Sequence, residues 1–469
     1  MAMTQTNNRK NLGFALGCIE EYVPEDHIVR KLEEALDWNF IYPLVRPLYS
    51  STGRPSVDPV VLFKMIFINY TFGINSMRKT CEEIKVNLAY RWFLGIPMDE
   101  AVPNYSTWSQ NYIRRYGDSE VFDRIFEKII EQGIEYGYIH TETVFGDSTH
   151  QKASANRNKS IRKEVEVTKK VYEDDLLAEI NEERRKHNKQ AFDSLKREEY
   201  EFDEDTGEAV IVTETKDIKE SVTDPDSGNF HKGKHEECFA YSHQTFCDRN
   251  GFVIMYETVP GNVHDSISFC GAYAKLIEKY EVHNISLDAG YKTPAIARMV
   301  AQNGQKLFIP YTRPKTKNGL FSKTKYTYDN ETNQYICPAG QILKYSTTNR
   351  NGYHEYKSSP SVCADCPHLE QCTRSQNHQK AILRHVWQGY LDEAENRRHS
   401  EEWKEIYPKR KETIERAFGD CKENHGLRYT RVRGLKKNSH QAAIIFSCHN
   451  LKRMGLWRWK YTHQNSNIC

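Results

Sequence analysis

The sequence predicts a mixed α/β protein in which a helical N-terminal domain precedes a sheet-containing domain with a cysteine-rich insertion. Three observations favour this fold class. The first 120 residues carry apolar side chains at helical spacing, and the segment from Thr141 carries short β-branched and aromatic runs that alternate with helical patterns. Four cysteines cluster after the last of these runs. Because a chain of 469 residues is about three times the usual size of one domain, several domains are expected.

The N-terminal segment, residues 1–125, is predicted to be a helical DNA-binding domain. Asp58 before Pro59 is an N-cap followed by proline at the first helical position. A second helix is expected to begin near Asn75, and Ser106 is expected to cap a later one that carries basic residues. Short helices in succession suit a helix-turn-helix-like module, although an ordinary helical bundle fits the spacing equally well. The basic residues of the last helix are Arg114 and Arg115.

From Thr141 onward the pattern changes from helical to strand-like, which predicts a second domain of mixed α/β structure. Residues 140–325 and 385–455 are assigned to it. The predicted strands are Thr143–Asp147, Cys238–Cys247, Phe252–Val259, Ile285–Asp288 and Leu307–Tyr311, and the predicted helices are Ser266–Tyr280 and Pro294–Asn303.

A charged insertion, residues 158–225, interrupts this domain. From Ser160 to about Tyr200 it contains helix formers throughout and few large apolar residues, which predicts a solvent-exposed helical arm. The acidic remainder, to Glu220, predicts a mobile loop because it offers little apolar surface to bury.

The charge of the chain is unevenly distributed, although its net value is only +2. Acidic residues are concentrated in the charged insertion, and none follows Glu423. A polyanion is the natural partner of the basic C-terminal segment, because neutralising phosphates releases condensed counterions; a solvated basic tail is the alternative. The opening residues Met1 to Asn11 lack the apolar stretch of a signal peptide, so a cytoplasmic, nucleoid-associated protein is expected.

Two aspartates follow apolar strands and are candidate metal ligands. Asp147 and Asp288 each come at the predicted end of a strand and precede small or polar residues. Such side chains project at the carboxyl edge of a sheet, where α/β proteins place their sites, but each alone could equally be a turn residue.

A third candidate ligand, Glu415, lies on a predicted C-terminal helix. Lys422 follows it by seven residues, about two turns, so the two side chains share one face. A metal-bound carboxylate beside a lysine that contacts phosphate suits phosphodiester chemistry with two Mg²⁺ ions. Considered alone, a surface glutamate and lysine on one face are ordinary.

The segment Glu415 to Gly434 resembles the C-terminal signature of bacterial insertion-sequence transposases of the IS1182 group, within the IS4/IS5-like DDE superfamily. The resemblance extends in the right order over nearly the whole chain. The other matching segments are Arg54-Pro55-Ser56 with the helix that follows, Tyr105-Ser106 onward, Phe145-Gly146-Asp147-Ser148-Thr149 and Leu287-Asp288-Ala289-Gly290-Tyr291.

This resemblance implies a ribonuclease-H-like catalytic domain that cleaves the ends of its own element and transfers them to target DNA. It gives Asp147, Asp288 and Glu415 the role of holding two Mg²⁺ ions, for which Mn²⁺ would substitute. Lys422 corresponds to the lysine that ends the family's Tyr-Arg-Glu-Lys signature. The candidate DNA contacts are Lys411, Lys422, Arg428, Arg431, Arg433, Arg114 and Arg115.

The chain departs from this signature before the glutamate. Lys411 occupies the arginine position and Pro408 the tyrosine position, while Tyr407 and Arg410 are each displaced by one residue. The roles of Tyr407 and Arg410 are therefore in doubt, whereas the assignment of Glu415 is not.

The four clustered cysteines, within residues 330–380, predict a structural zinc site in an insertion before the Glu415 helix. Their spacing is C-x25-C-x2-C-x5-C, and four thiolates on short loops suit tetrahedral zinc. An iron–sulfur cluster or free thiols are the alternatives. The four residues are Cys337, Cys363, Cys366 and Cys372.

Two hypotheses of function are alternatives to an active transposase. A catalytically inactive, transposase-derived DNA-binding protein would keep the fold and the basic surfaces, and a metal nuclease would cleave without strand transfer. For the transposase, a homodimer in the DNA complex is expected, because both element ends must be held together.

Overall fold

A computed structural model describes residues 17–53, 55–74, 76–166, 172–195, 199–202, 209–212, 215–232, 236–312 and 319–464. The opening residues, Arg54 and Asn75 of the predictions above lie outside the described residues. Among the described residues, no helix has both the length and the apolar character needed to cross a membrane.

The chain forms two compact units. A helical unit contains residues 1–140, 252–254 and 416–469, and a sheet unit contains residues 141–251 and 255–415. This division differs from the predicted domains. Residues 416–455, which the sequence analysis assigned to the catalytic domain, belong to the helical unit, as do residues 126–140.

The part of the helical unit that the structure describes begins with eight α-helices, in agreement with the predicted helical N-terminus. Asp58 caps its helix as expected, since its Oδ1 accepts from the backbone N–H of Val60 at 2.7 Å. The prediction for Ser106 is wrong: Asn104 is the cap, and its Oδ1 accepts from the Ser106 N–H at 2.9 Å. The helices are α1 Ile19–Tyr22, α2 Ile28–Ala35, α3 Ile41–Val45, α4 Pro59–Thr71, α5 Met77–Val86, α6 Leu88–Leu94, α7 Tyr105–Asn111 and α8 Val121–Glu135, with short turns at Trp38–Phe40, Arg46–Leu48 and Tyr112–Tyr116.

The core of this unit is aromatic. Trp38 makes edge contacts with Phe67 and Phe93, at ring-centroid distances of 5.1 Å and 5.6 Å. The polar residue that interrupts the apolar run of α4, Lys64, is buried and pairs with Glu33 at 2.6 Å. The pairing allows a lysine within this core, because a buried charge without a partner would be costly.

A six-stranded mixed sheet forms the centre of the sheet unit, which confirms the predicted α/β class. Its order is β10-β9-β1-β7-β6, and β8 also pairs with β7. Strand β9 is parallel to β1 and to β10, whereas β7 is antiparallel to β1. The strands are β1 Thr143–Lys152, β2 Ser160–Glu166, β3 Glu199–Phe202, β4 Ala209–Val212, β5 Thr215–Ser221, β6 Gly228–Lys232, β7 Glu236–Asp248, β8 Val253–Pro260, β9 Asn284–Leu287 and β10 Lys306–Phe308.

The prediction of a helical arm followed by a loop is wrong for much of the charged insertion. Strand β2 pairs with β5 in antiparallel register, so both ends of the insertion are extended. Among the described residues of the insertion, only α9, Glu173–Lys186, is helical, and its residues Leu176 and Ile180 are buried with Trp387. The sequence pattern predicted the helix α9. It did not predict that β2 pairs with β5, which follows it by about fifty residues.

A second sheet carries the cysteine-rich segment, which is more regular than the predicted loops. It is a five-stranded antiparallel meander in sequence order, built around buried Tyr335, Leu343 and Tyr356. Its strands are β11 Thr327–Asp329, β12 Gln334–Ile336, β13 Ile342–Thr348, β14 Tyr353–Lys357 and β15 Ala381–His385.

The remaining described helices lie between and after the strands of the two sheets in the sequence. The C-terminal helix α17 packs against α2, α4 and α8. Its small residues Ala442 and Ala443 are fully buried, which permits close approach of the neighbouring helices. These helices are α10 Asp265–Lys279, α11 Pro294–Gln302, α12 Pro360–Ala364, α13 Leu369–Cys372, α14 Gln388–Arg397, α15 Glu401–Ile406, α16 Ile414–Asn424 and α17 Leu435–Gln464, with 3-10 turns at Ala289–Tyr291, Lys323–Lys325 and Tyr407–Lys411.

Candidate catalytic site

The parallel pairing of β1 with β9 places the two predicted aspartates side by side. Gly146 is the register partner of Leu287, so Asp147 and Asp288 are the next residues on adjacent strands. The expectation that Asp147 ends its strand is wrong. Strand β1 continues to Lys152 because β7 pairs with it on the other side, and only the pairing with β9 stops before Asp147.

Gly146 allows close packing immediately before Asp147. A Cβ atom at this position would lie 2.6 Å from a side-chain carbon of Leu287 and 2.7 Å from one of Phe246. The absence of a side chain therefore lets the buried face of the sheet close beneath the aspartate.

Arg410 fixes the carboxylate of Asp147. Its buried guanidinium donates to the backbone carbonyls of Gly146 and Ser286, at 2.8 Å and 2.9 Å, and to Asp147 Oδ2 at 3.0 Å. The sequence analysis had placed Lys411 at the corresponding signature position, but Lys411 is exposed. The 3-10 turn Tyr407–Lys411 directs Arg410 inward, so the inward-facing cation is displaced by one residue from the predicted one.

The environment of Asp147 favours its protonated form. Burial raises the pKa of this carboxyl, and the neighbouring carboxylates Asp288 and Asp265 raise it further. The Arg410 guanidinium and the backbone N–H of Ser148 lower it, but the pKa still reaches about 6. The site therefore holds excess negative charge, a common property of functional carboxylates and of cation sites.

The third predicted ligand, Glu415, belongs to the same group of charges. Burial raises the pKa of the Tyr407 phenol, Arg410 lowers it, and the carboxylates of Asp288, Glu415 and Asp147 raise it again. All three predicted carboxylates therefore lie within electrostatic range of one phenol. The Tyr407 ring stacks on Trp403, with centroids 4.8 Å apart and planes inclined by 7°.

Asp265 is a fourth carboxylate that the sequence analysis did not select. Its Oδ1 accepts from the Ser148 hydroxyl at 2.6 Å, and its charge contributes to the raised pKa values of Asp147 and Tyr291. In the sequence, Asp265 is recognisable only as an acidic residue in the first turn of the helix after β8. Acidic residues are common in the first turn of helices, so this position does not by itself indicate a functional residue.

Two of the arginines that were predicted to contact DNA interact with other residues of the helical unit. The guanidinium of Arg431 donates to the Ile74 carbonyl at 2.7 Å and to Asn69 Oδ1 at 3.2 Å. Arg115 bonds to Asn111 and lies over the Tyr49 ring, 4.5 Å from its centroid. These arginines stabilise the unit whether or not they also meet phosphate.

The other residues that were predicted to contact DNA differ in their ion pairing and in their exposure to solvent. Arg428 forms an exposed ion pair with Glu423. Lys422 is half-buried, and the remaining residues are exposed. These exposed residues are Arg114, Lys411 and Arg433.

The four predicted zinc ligands line one pocket of the second sheet, together with His368. Cys337 follows β12, while the other three lie in or near the short helices α12 and α13. The Cys363 thiol donates to Ser358 Oγ at 3.2 Å, and the Tyr326 hydroxyl lies 3.0 Å from Cys372 Sγ. Thiolates fit zinc by donor type, but no three of the four sulfur atoms lie within 4.8 Å of one another. The grouping contains no disulfide.

Comparison with known proteins identifies two transposase segments. Residues 336–455 match the family model of a transposase DDE domain, and residues 17–114 match that of the transposase domain DUF772. The first match covers Glu415 and all four clustered cysteines, and the second covers most of the N-terminal helices. Both matches support a DNA transposase, and the first supports the interpretation as a DDE transposase.

The similarity to one solved structure is weak. A piggyBac transposase synaptic complex with hairpin DNA aligns with 91% of this chain and 71% of that chain, at 11% identity and a TM-score of 0.30. A likeness of this size does not establish a shared fold. No curated protein matches the sequence significantly.

We expect Asp147→Asn to stabilise the metal-free protein. Because the folded-state pKa of about 6 exceeds the ordinary 3.8, the folded carboxyl holds its proton more tightly, and stability falls as pH rises through this window. The shift corresponds to at most about 3 kcal/mol above pH 6. Urea unfolding in EDTA should show this gain at pH 7.5 and little difference below about pH 4.

Asp288→Asn is the matched control, because this carboxyl is exposed and its removal should change the free energy of unfolding little. A loss of stability in Asp147→Asn at pH 7.5 would show that the pair with Arg410 outweighs the cost of burying the charge.

Because four cysteines line this pocket, we expect the Cys366→Ser variant to bind one zinc ion fewer per chain than the native protein. A tetrahedral site that loses one of four thiolates binds zinc more weakly, whereas the buried Cys247 is far from the pocket in sequence and serves as the control. Zinc retained after dialysis should be measured for both serine variants. Equal zinc contents would exclude Cys366 as a ligand.

Proposed function

We propose that the chain is the transposase of a bacterial insertion sequence of the IS1182 group, which cleaves the ends of its element and joins them to target DNA. The observation that carries this proposal is the parallel pairing of β1 with β9, which places Asp147 and Asp288 on adjacent strands, in a chain that matches a transposase DDE domain. Glu415 acts electrostatically on the same Tyr407 phenol as the two aspartates. A ribonuclease-H-like fold is proposed with it. The central β9, β1 and β7 strands, with β7 antiparallel to β1, support this fold.

The donor set of the site fits hard divalent cations. Three carboxylates offer the oxygen ligands that Mg²⁺ and Mn²⁺ prefer. The raised pKa of Asp147 also fits, because a bound cation would offset the charge that burial and neighbouring carboxylates make unfavourable. A pair of such ions, when bound, would activate the attacking oxygen and stabilise the leaving oxygen of a phosphodiester.

Within this mechanism, the chain's own residues orient the carboxylates. Arg410 holds Asp147 Oδ2, and the Ser148 N–H holds Oδ1 at 2.8 Å, so both oxygens of the carboxylate have fixed directions. Ser148 is in turn held by Asp265. Such supporting hydrogen bonds orient metal ligands and typically alter activity by about 10–100-fold when removed.

DNA is the proposed partner, and contacts from basic side chains to phosphates would supply most of the affinity. We propose the exposed Lys411, Arg433 and Arg114 as candidates, together with Lys422 and Arg428. A homodimer would hold the two element ends in one complex.

Cleavage of DNA by a Glu415→Gln variant tests the catalytic proposal. A labelled duplex that carries the end of the element is incubated with Mg²⁺ or Mn²⁺, and both nicking and binding are measured. Loss of one metal-binding carboxylate should reduce nicking by at least about 100-fold while leaving DNA binding unchanged. Glu412→Gln is the matched control, since Glu412 is exposed three residues earlier.

If the native protein and both variants bind this duplex and none cleaves it with either ion, the chain is an inactive DNA-binding descendant. Cleavage without joining of the ends to a target would instead support a metal nuclease.

Arg410 and Lys411 should have separable roles. Arg410→Lys should lower the cleavage rate by about 10–100-fold at constant DNA affinity, because one ammonium cannot span two carbonyls and a carboxylate. Lys411→Gln should weaken DNA binding and reduce the slope of log affinity against log salt by about 1. The assignment is wrong if Lys411→Gln lowers cleavage of bound DNA while Arg410→Lys affects binding alone.

A further inference from the structure

A second cluster of possible metal ligands lies in the helical unit. Among the described residues, a single group of three or more His, Cys, Asp or Glu side chains has ligand atoms that all lie within 4.8 Å of one another. It consists of Asp420 in α16, His425 directly after that helix, and His449 in α17. The sequence patterns predicted no role for these three residues.

The hydrogen bonds of His425 leave two acceptors facing each other. Its Nδ1 lies 3.0 Å from the backbone carbonyl of Tyr70, and a carbonyl only accepts, so Nδ1 carries the hydrogen. In the neutral ring, Nε2 is then a lone pair, and it lies 3.2 Å from Oδ2 of Asp420. His425 is fully buried, so water cannot readily screen this repulsion. The contact requires a cation between the two atoms, either a proton or a metal ion.

The geometry points to a transition-metal site. We propose that Asp420, His425 and His449 bind one divalent ion of the zinc type. In a tetrahedral site with bonds of about 2.0–2.1 Å, neighbouring ligand atoms are roughly 3.3 Å apart. Here Oδ2 of Asp420 lies 3.2 Å from His425 Nε2 and 2.8 Å from His449 Nδ1. Two imidazoles and one carboxylate are a donor set that selects zinc and neighbouring metals over Mg²⁺.

The surroundings of the cluster resemble those of metal ligands in general. The Tyr70 carbonyl fixes the tautomer and the ring orientation of His425, and the Asn424 amide holds Oδ1 of Asp420 at 2.6 Å. The Asp420 side chain is 26% exposed, which gives an ion a route of entry. Lys452 competes with the ion, since its Nζ lies 3.4 Å from Oδ1, but it is itself 28% exposed and can move into solvent.

This site is separate from the proposed catalytic one. Asp420 follows Glu415 by five residues in the same helix, so the two side chains project about 140° apart around its axis. A metal ion bound here would link the end of α16 to α17. Through the hydrogen bond between His425 and Tyr70, it would also link them to the end of α4. The inference does not depend on the proposed function, because it needs neither DNA nor catalysis.

Zinc stoichiometry of the full chain tests the proposal. After loading with zinc and dialysis against metal-free buffer, His425→Gln and His449→Gln should each hold one zinc ion fewer than the native chain, whatever the cysteine pocket retains. Zinc should also raise the melting temperature of Cys366→Ser but not that of the double variant with His425→Gln. His399→Gln, at an exposed histidine, is the matched control and should keep the native content.

X-ray absorption at the zinc edge examines the native cluster without altering it. In the Cys366→Ser background, the remaining zinc should show nitrogen and oxygen ligands, including two imidazoles, and no dominant sulfur shell. The proposal is overturned if this chain retains no zinc with such ligands, or if His425→Gln and the native chain hold equal amounts. In either case the contact between His425 and Asp420 contains no metal ion.

Discussion

The buried guanidinium of Arg410 is the contact on which the arrangement of the site depends. It joins the carbonyls of Gly146 and Ser286, which belong to the adjacent strands β1 and β9, and it holds the Asp147 carboxylate at the same time. A planar guanidinium can satisfy these three acceptors in one orientation, whereas a lysine cannot. The turn that carries Arg410 is thereby fixed against the sheet, three residues before α16 begins.

This arrangement places several like charges in a partly buried environment. Asp147, Asp288 and Asp265 oppose one another, and the single positive charge of Arg410 does not cancel them. The metal-free site is therefore less stable than a neutral one would be, which is the usual cost of a preorganised cation site. Selection for stability alone would not favour such a grouping, so the charges themselves support a functional role for this edge of the sheet.

Three groups of potential metal ligands occur among the described residues, and their donor atoms differ. The sheet edge offers carboxylate oxygens, the β11–β15 sheet offers thiols, and the end of α16 offers imidazoles beside one carboxylate. Donor softness separates the ions that these places would select, because hard oxygen sites favour Mg²⁺ and nitrogen or sulfur sites favour zinc. The three groups can therefore be occupied by different ions in the same solution.

Local sequence determined the helical N-terminus, the cap at Asp58 and most strands of the central sheet, because periodicity and capping act over a few residues. It also identified Asp147 and Asp288, whose apolar strands are visible as runs in the sequence. Only the tertiary structure decided which cation faces the site, since the 3-10 turn directs Arg410 rather than Lys411 inward.

Contacts between distant segments were likewise decided by the tertiary structure. Strand β2 finds its partner β5 across the charged insertion, and Asp265 reaches Ser148 more than one hundred residues away. The cluster of Asp420, His425 and His449 forms because α17 returns to the end of α16. No local pattern encodes such pairings, because each depends on where the packing of the apolar faces brings the chain.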